Sequence, residues 1–247
     1  MMYTVLEDAK TDLEGTLARI AEQGFFGVET YGLLEHYTPR RLRVALEGAG
    51  LELTSAHAPF PSGAGARRIL DENAELGATT LVWSMERVEF ESPALISAGL
   101  ARVNDAAENA AAYGMRIAYH NHFAEFSQVF DGREAYDILL EQLDPRVVVE
   151  LDMYWAQMGG ADPAEVVARL GERVKFVHIK DGPAVSYEED IMVPIGEGNI
   201  DWRAALTANP GLEWHILELE RLDVETFEAI RRSYEYLTSS GLSEGRK

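Results

Sequence analysis

His120, His122 and Glu125 lie within six residues of one another at the end of an apolar run that begins at Met115. Imidazoles and carboxylates bind divalent metals, and beside a polarised carbonyl they also remove or return a proton. The same pattern recurs downstream. Glu150 and Asp152 close the run Val147-Val148-Val149, His178 and Lys180 close Phe176-Val177, and Glu218 and Glu220 close Ile216-Leu217. Glu29 and His57 end two earlier apolar segments. Taken singly, a histidine at a strand end is more often a structural residue, and Glu150 or Glu220 could simply pair with an arginine. Ligand-type side chains at equivalent positions on four strands favour one polar site, holding a divalent metal, at one end of a β-barrel.

The elements that must carry these groups can be read from periodicity. Residues 3–6, 27–30, 51–57, 80–84, 115–122, 147–152, 175–180 and 214–220 are apolar or β-branched runs of strand length. Helical patterns over 12–23, 39–49, 67–76, 93–113, 133–142, 163–170, 201–208 and 224–238 alternate with them. Asp162-Pro163 is a helix start, and Gly24, Gly50, Gly77 and Gly114 sit where helices stop before a strand. Eight such units without a linker predict an α/β protein, a single (β/α)8 TIM barrel over residues 1–247. Strand C-termini and βα loops share one face of that fold. The pairs Glu150/Asp152, His178/Lys180 and Glu218/Glu220, two residues apart, then point together, and charge favours the interior over a dry helix layer. Gly196-Glu197-Gly198-Asn199 reads as a turn in a long active-site loop, with Asp201 capping the next helix over Trp202. The polar tail 239–247 is expected to fray.

Composition narrows the function. The 247 residues, 47% hydrophobic, can bury one full core. There is no cysteine, so a thiolate site and a thiol nucleophile are excluded and any metal is held by nitrogen and oxygen. A formal charge of -20 repels phosphate backbones, which argues against a nucleic-acid partner. No stretch has the length of a membrane span and the first residues lack a signal-peptide pattern, so a cytoplasmic protein without membrane contact is expected. A homo-oligomer is compatible with everything above.

The set Tyr119-His120-Asn121-His122-x-x-Glu125-Phe126, Glu150-Leu151-Asp152-x-Tyr154-Trp155, His178-Ile179-Lys180-Asp181 and Gly196-x-Gly198-x-Ile200-Asp201-Trp202 resembles the sugar phosphate isomerase/epimerase group of xylose isomerase-like TIM barrels. The resemblance spans nearly the whole chain and implies one divalent ion, Mn²⁺ first, with Mg²⁺, Co²⁺ or Zn²⁺ as alternatives. It also implies a Glu, Asp, His, Glu ligand set, carried over as Glu125, Asp152, His178 and Glu218. Either Glu125 or His122 supplies the first ligand; Glu125 is preferred because it can turn back over the barrel mouth and leave His122 free as acid or base. On that reading Glu125 and Glu218 exchange protons with the substrate, Lys180 stabilises the enolate oxygen, and Glu29, His57, His120, Tyr154 and Trp155 contact the substrate. Trp83 is a further wall candidate. The expected reaction is isomerisation or epimerisation of an unphosphorylated sugar or keto-sugar. Elimination from a 3-keto sugar, keto-glycoside or inosose is the alternative, and a non-catalytic sugar-binding or partner-subunit barrel a second one.

Overall fold

Helix boundaries follow local chemistry closely. Thr38, Ser92 and Asp162 each accept a backbone N–H of the helix that follows and each precedes a proline, so α3 (Pro39–Ala49), α5 (Pro93–Ala111) and α9 (Pro163–Leu170) begin with a cap and a pre-set φ. Gly50 and Gly77, both left-handed, end α3 and α4 (Ala66–Leu76). The other helices are α1 (Leu6–Thr11), α2 (Leu13–Glu22), α6 (Ala124–Ser127), α7 (Ala135–Gln142), α8 (Met153–Met158), α10 (Trp202–Thr207) and α11 (Thr226–Ser239).

The computed structural model describes residues 1–246. Its main sheet is parallel and seven-stranded, built from β1 (Gly27–Tyr31), β2 (Glu52–His57), β3 (Thr80–Trp83), β4 (Arg116–His120), β7 (Val148–Asp152), β8 (Val174–Ile179) and β9 (Trp214–Leu217), paired in that order. The two-residue strands β5 (Val129–Phe130) and β6 (Arg133–Glu134) form a separate small hairpin. With helices packed outside, the architecture is the expected α/β TIM barrel, nearly closed.

The departure is at the first strand. Residues Met2–Val5 form a 3-10 helix that runs into α1, in place of the strand expected over 3–6. Their β-like composition is overridden by position. The Met1 amino group donates to the carbonyl of Leu217 at the C-terminal end of β9, and the Leu219 N–H donates to Thr4 Oγ1 at 2.9 Å, so this segment lies across the top of the sheet instead of along it. The polar tail is also more ordered than expected. Leu242 is buried, Ser243 Oγ lies 2.7 Å from His215 Nδ1, and the Arg246 N–H donates to Gly24 O; the expectation for Lys247 falls outside the described residues.

Inside the barrel, alternation sets two layers. Val82, Ala118, Phe176 and Ile216 make an apolar floor. Two residues further along their strands come His120, His178 and Glu218, and Glu150 follows Val148 in the same way. The titratable groups therefore face inward, as their charge demanded.

Candidate active site

Glu150, Asp152, His178 and Lys180 are almost fully buried at the C-terminal ends of adjacent strands β7 and β8. Asp152 is fixed by its neighbours. Its N–H donates to Asn121 Oδ1 (2.9 Å), Asn121 Nδ2 donates back to its carbonyl (3.1 Å), and the Trp155 N–H donates to Oδ1 (2.9 Å). Asn121 thus ties the end of β4 to the end of β7, and Asp152 caps α8 while its Oδ2 stays buried without a hydrogen-bond partner.

His178 is oriented from behind. Its Nε2 lies 2.8 Å from Glu29 Oε1 and 3.0 Å from Glu150 Oε1, while Ser55 donates to the other Glu29 oxygen. A proton on Nε2 leaves the Nδ1 lone pair facing forward. Nδ1 lies 2.7 Å from Glu218 Oε2 and 3.9 Å from Asp152 Oδ2, yet makes no hydrogen bond. Three buried electron-pair donors converging this closely repel one another unless a proton or a cation lies among them, and either can fill the role. A histidine that holds metal through one nitrogen and a carboxylate through the other has the arrangement common in metal sites. Asp152, His178 and Glu218 have ligand-compatible spacing, and so do His57, His120, Glu150 and His178. A divalent ion fits this donor set, which is hard oxygen plus imidazole.

Without an ion, a second proton on His178 offsets the carboxylates around it. Burial works against His178 carrying a proton, but Glu150 and Glu29 outweigh it and raise its pKa well above the usual value. Burial likewise opposes charge on Glu150, yet His178, His120 and His57 outweigh it and hold the carboxylate low. Burial pushes Asp152 up to about 6 and Glu125 up to about 8, while burial and Lys180 together pull His122 down to about 4. Lys180 is the cation nearest the cluster, with Nζ 3.2 Å from Asp152, 3.0 Å from Glu218 and 2.7 Å from Glu220.

A cavity of about 450 Å³ opens above these groups, lined by His57, His120, His122, Glu125, Lys180, Glu218 and Glu220 and walled by Tyr31, Trp83, Trp155 and Tyr187. A larger cavity of about 740 Å³ lies elsewhere, between β1 and β9.

The residues singled out from the sequence fall into three groups. Asp152, His178 and Glu218 come together. His57, His120, His122, Lys180, Trp155 and Trp83 line the cavity, and Glu29 buttresses His178 from below. Glu125 and Tyr154 depart from their expected places. Glu125 is outside both metal-compatible groups, because the Tyr119 hydroxyl holds its Oε1 at 2.9 Å; its Oε2 is buried and unpartnered. Tyr154 points away from the cavity, donating to Asp190 at 2.8 Å and accepting from the Ala184 N–H, so it anchors the loop after β8.

Two residues gained importance only in three dimensions. Glu150, for which pairing with an arginine was the alternative to a place in the site, has three imidazoles around one oxygen, with His57 and His120 each at 3.2 Å. Its shared parity with Asp152 was the available signal. Asp181 organises the Gly196–Asp201 motif by accepting the N–H groups of Gly182, Gly196 and Ile200 and the indole of Trp202. Gly198 is required there, since a Cβ would sit 2.0 Å from Asp181 Oδ1.

Residues 17–238 match the family model for the xylose isomerase-like TIM barrel. The chain belongs to that family. It is 33% identical over 94 residues to inosose dehydratase of Geobacillus kaustophilus, covering 38% of this chain and 28% of that protein. It is 30% identical over 202 residues to 3-dehydroshikimate dehydratase of Pseudomonas aeruginosa, covering 73% of this chain and 31% of that protein. The matches thus span less than a third of the length of these curated relatives. A sugar phosphate isomerase/epimerase structure from Parabacteroides distasonis superposes with a TM-score of 0.83 at 24% identity, over 98% of this chain and 93% of that one.

Proposed function

We propose that this barrel is a divalent-metal-dependent enzyme that moves a proton next to the carbonyl of a neutral sugar or keto-polyol, giving isomerisation or epimerisation. The observation that carries the reading is the convergence of Asp152 Oδ2, His178 Nδ1 and Glu218 Oε2, buried and facing one another beneath the cavity. A divalent ion held by these residues would polarise a substrate carbonyl and acidify the adjacent C–H.

The chain's own groups then divide the proton work. His122, neutral at physiological pH, accepts the proton; Glu125, carrying one up to about pH 8, is placed to donate. A base and an acid whose pKa values are pushed in these directions form a matched pair. Lys180 places its ammonium where an oxyanion would develop. The buried indole N–H of Trp155, without a partner in the cavity wall, offers a hydrogen bond to a hydroxyl. The cavity contains Glu86, Glu125, Glu218 and Glu220 against only Lys180 and Arg87, a balance that disfavours phosphate or carboxylate on the substrate.

Elimination is a second reading, supported by the protonated Glu125, which can deliver a proton to a departing β-hydroxyl, and by two dehydratases among the relatives. Turnover of a panel of ketoses and inososes in D₂O tests both. Deuterium at the carbon next to the carbonyl, with the mass otherwise unchanged, is expected for isomerisation or epimerisation. Loss of water with a new conjugated enone chromophore is the dehydratase outcome. Product free of solvent deuterium would replace proton transfer with a hydride shift.

A further inference from the structure

The two ends of the loop after β8 are held by backbone and its middle by side chains. The Val193 N–H donates to Asp181 O at 3.0 Å and the Met192 N–H to Arg221 O at 2.8 Å. Between them, residues 184–190 join neither sheet. Among the described residues, two side chains supply the hydrogen bonds that tie this segment to the rest of the chain. The Tyr154 hydroxyl donates to Asp190 Oδ2 at 2.8 Å and accepts the Ala184 N–H at 3.3 Å, and Arg221 donates to Glu188 O at 3.2 Å. Asp190 Oδ2 also accepts the Val185 N–H at 2.8 Å, so the Tyr154–Asp190 pair gathers both ends of the segment. Ala184 is left-handed, with φ 53°, a conformation that costs any residue with a Cβ unless its surroundings impose it. The bonds that impose it are those of Tyr154 and Asp190. Tyr187 rides on the same segment, 47% exposed, with its ring 5.7 Å from Trp155 and 5.4 Å from Phe123, and Val185 beside it is 77% exposed. Few bonds, exposed apolar side chains and a strained residue at one end are the marks of a segment that opens locally.

We propose that Tyr154 and Asp190 are positioning residues, a latch that keeps residues 184–190 closed over the cavity, with Ala184 as the hinge and Tyr187 as the cover that lifts to admit substrate. The latch is built on α8, the short helix that Asp152 caps and that also carries Trp155. Loop and cavity wall are thereby held in one register. Closed, the segment sets Tyr187 against Trp155 at the mouth, where both rings line the cavity, and keeps water from the groups below. Released, Ala184 is free to leave its left-handed conformation, and the strain it gives up favours opening. The opening itself needs no assigned reaction; its use in turnover rests on the proton transfer proposed above.

The test compares Tyr154→Phe, Asp190→Ala and the double variant with the parent in the full chain. The readouts are hydrogen exchange at the amide of residue 190, which keeps its acceptor at Ser186 O in every variant, and acrylamide quenching of Trp155, isolated by difference from Trp155→Phe. Each single variant is expected to speed that exchange at least about tenfold, the loss of one hydrogen bond to a charged group, and to raise the quenching. The double variant should open no further than either single one, because both remove the same latch. Ala184→Gly, which accepts a positive φ without strain, should slow the exchange. Unchanged exchange and quenching in both single variants would overturn the latch, as would fully additive effects in the double variant. Opening by Ala184→Gly as large as that by Tyr154→Phe would overturn the hinge. With a ketose that the parent turns over, Tyr154→Phe should lose most of kcat at unchanged metal affinity. Metal affinity falling in step with kcat would make Tyr154 a support for Asp152, and an opened loop with parental kcat would remove its positioning role. If no ketose is turned over, the reaction assigned to the site fails while exchange and quenching still decide the latch.

Discussion

Glu150 and Asp152 illustrate how two carboxylates on one strand face come to differ. Asp152 meets backbone and Asn121 donors and leaves one oxygen bare, whereas Glu150 is surrounded by imidazoles. Asp152→Asn and Glu218→Gln are expected to weaken metal binding at least tenfold, measured by titration of the chelator-stripped protein. Glu150→Gln is expected to weaken it too, by roughly 10 to 100-fold, because His178 loses an orienting partner. An unchanged affinity in Glu150→Gln would mean that Glu29 alone orients the ring. His122→Ala should keep its ion and lose turnover by roughly 10² to 10⁴, the range for a general acid or base. Loss of the ion in that variant would make His122 a ligand instead. His215, outside the site, gives a pH prediction. Burial lowers its pKa from 6.5 to about 4, so the folded protein binds fewer protons there than the unfolded chain between those values. Its stabilisation is complete above pH 6.5 and is lost as pH falls toward 4, by up to about 3 kcal/mol. Denaturation of His215→Gln from pH 4 to 7 should show a flatter slope than the parent, and identical slopes would remove the residue from acid sensitivity.

At the scale of elements, the loop after β8 is the part whose sequence and structure explain each other best. Asp181 gathers four donors from Gly182 to Trp202, and the Asp181–Val193 bridge pins the loop's middle. Tyr187, carried on that loop, packs near Trp155 and Phe123 over the cavity. Gly198→Ala forces a Cβ into the Asp181 carboxylate and should cost about 1–3 kcal/mol, the range for overpacking. The expected readout is a lower Tm together with faster proteolytic cleavage between residues 182 and 201. Normal loop resistance with a lower Tm would place the strain elsewhere.

For the whole molecule, the proposed ligands converge from β7, β8 and the residue after β9 only once the barrel has formed. Metal binding by them would therefore be linked to folding. An ion at 100 times its Kd adds about 2.7 kcal/mol, so a chelator should lower Tm and Mn²⁺ or Mg²⁺ should restore it, with about one ion per chain by elemental analysis. A melting temperature indifferent to Mn²⁺, Mg²⁺, Co²⁺ and Zn²⁺ would sink the metal assignment.

The sequence by itself determined the limits of the well-capped helices, because periodicity and caps are local: Pro39–Ala49 and Pro163–Leu170 are found at their expected limits. It also determined that Asp152, His178 and Glu218 end neighbouring strands on one face, since strand parity fixes direction and the βα alternation fixes the end. Tertiary structure decided the rest. Whether residues 3–6 pair as a strand depends on where the chain meets β9, which no local pattern encodes. The imidazoles around Glu150 and the turning of Tyr154 toward Asp190 depend on distances between segments far apart in the chain. Identity and spacing along the chain set what each side chain can do. Only packing selects the partner, because burial makes every polar group take whichever one the fold brings within reach.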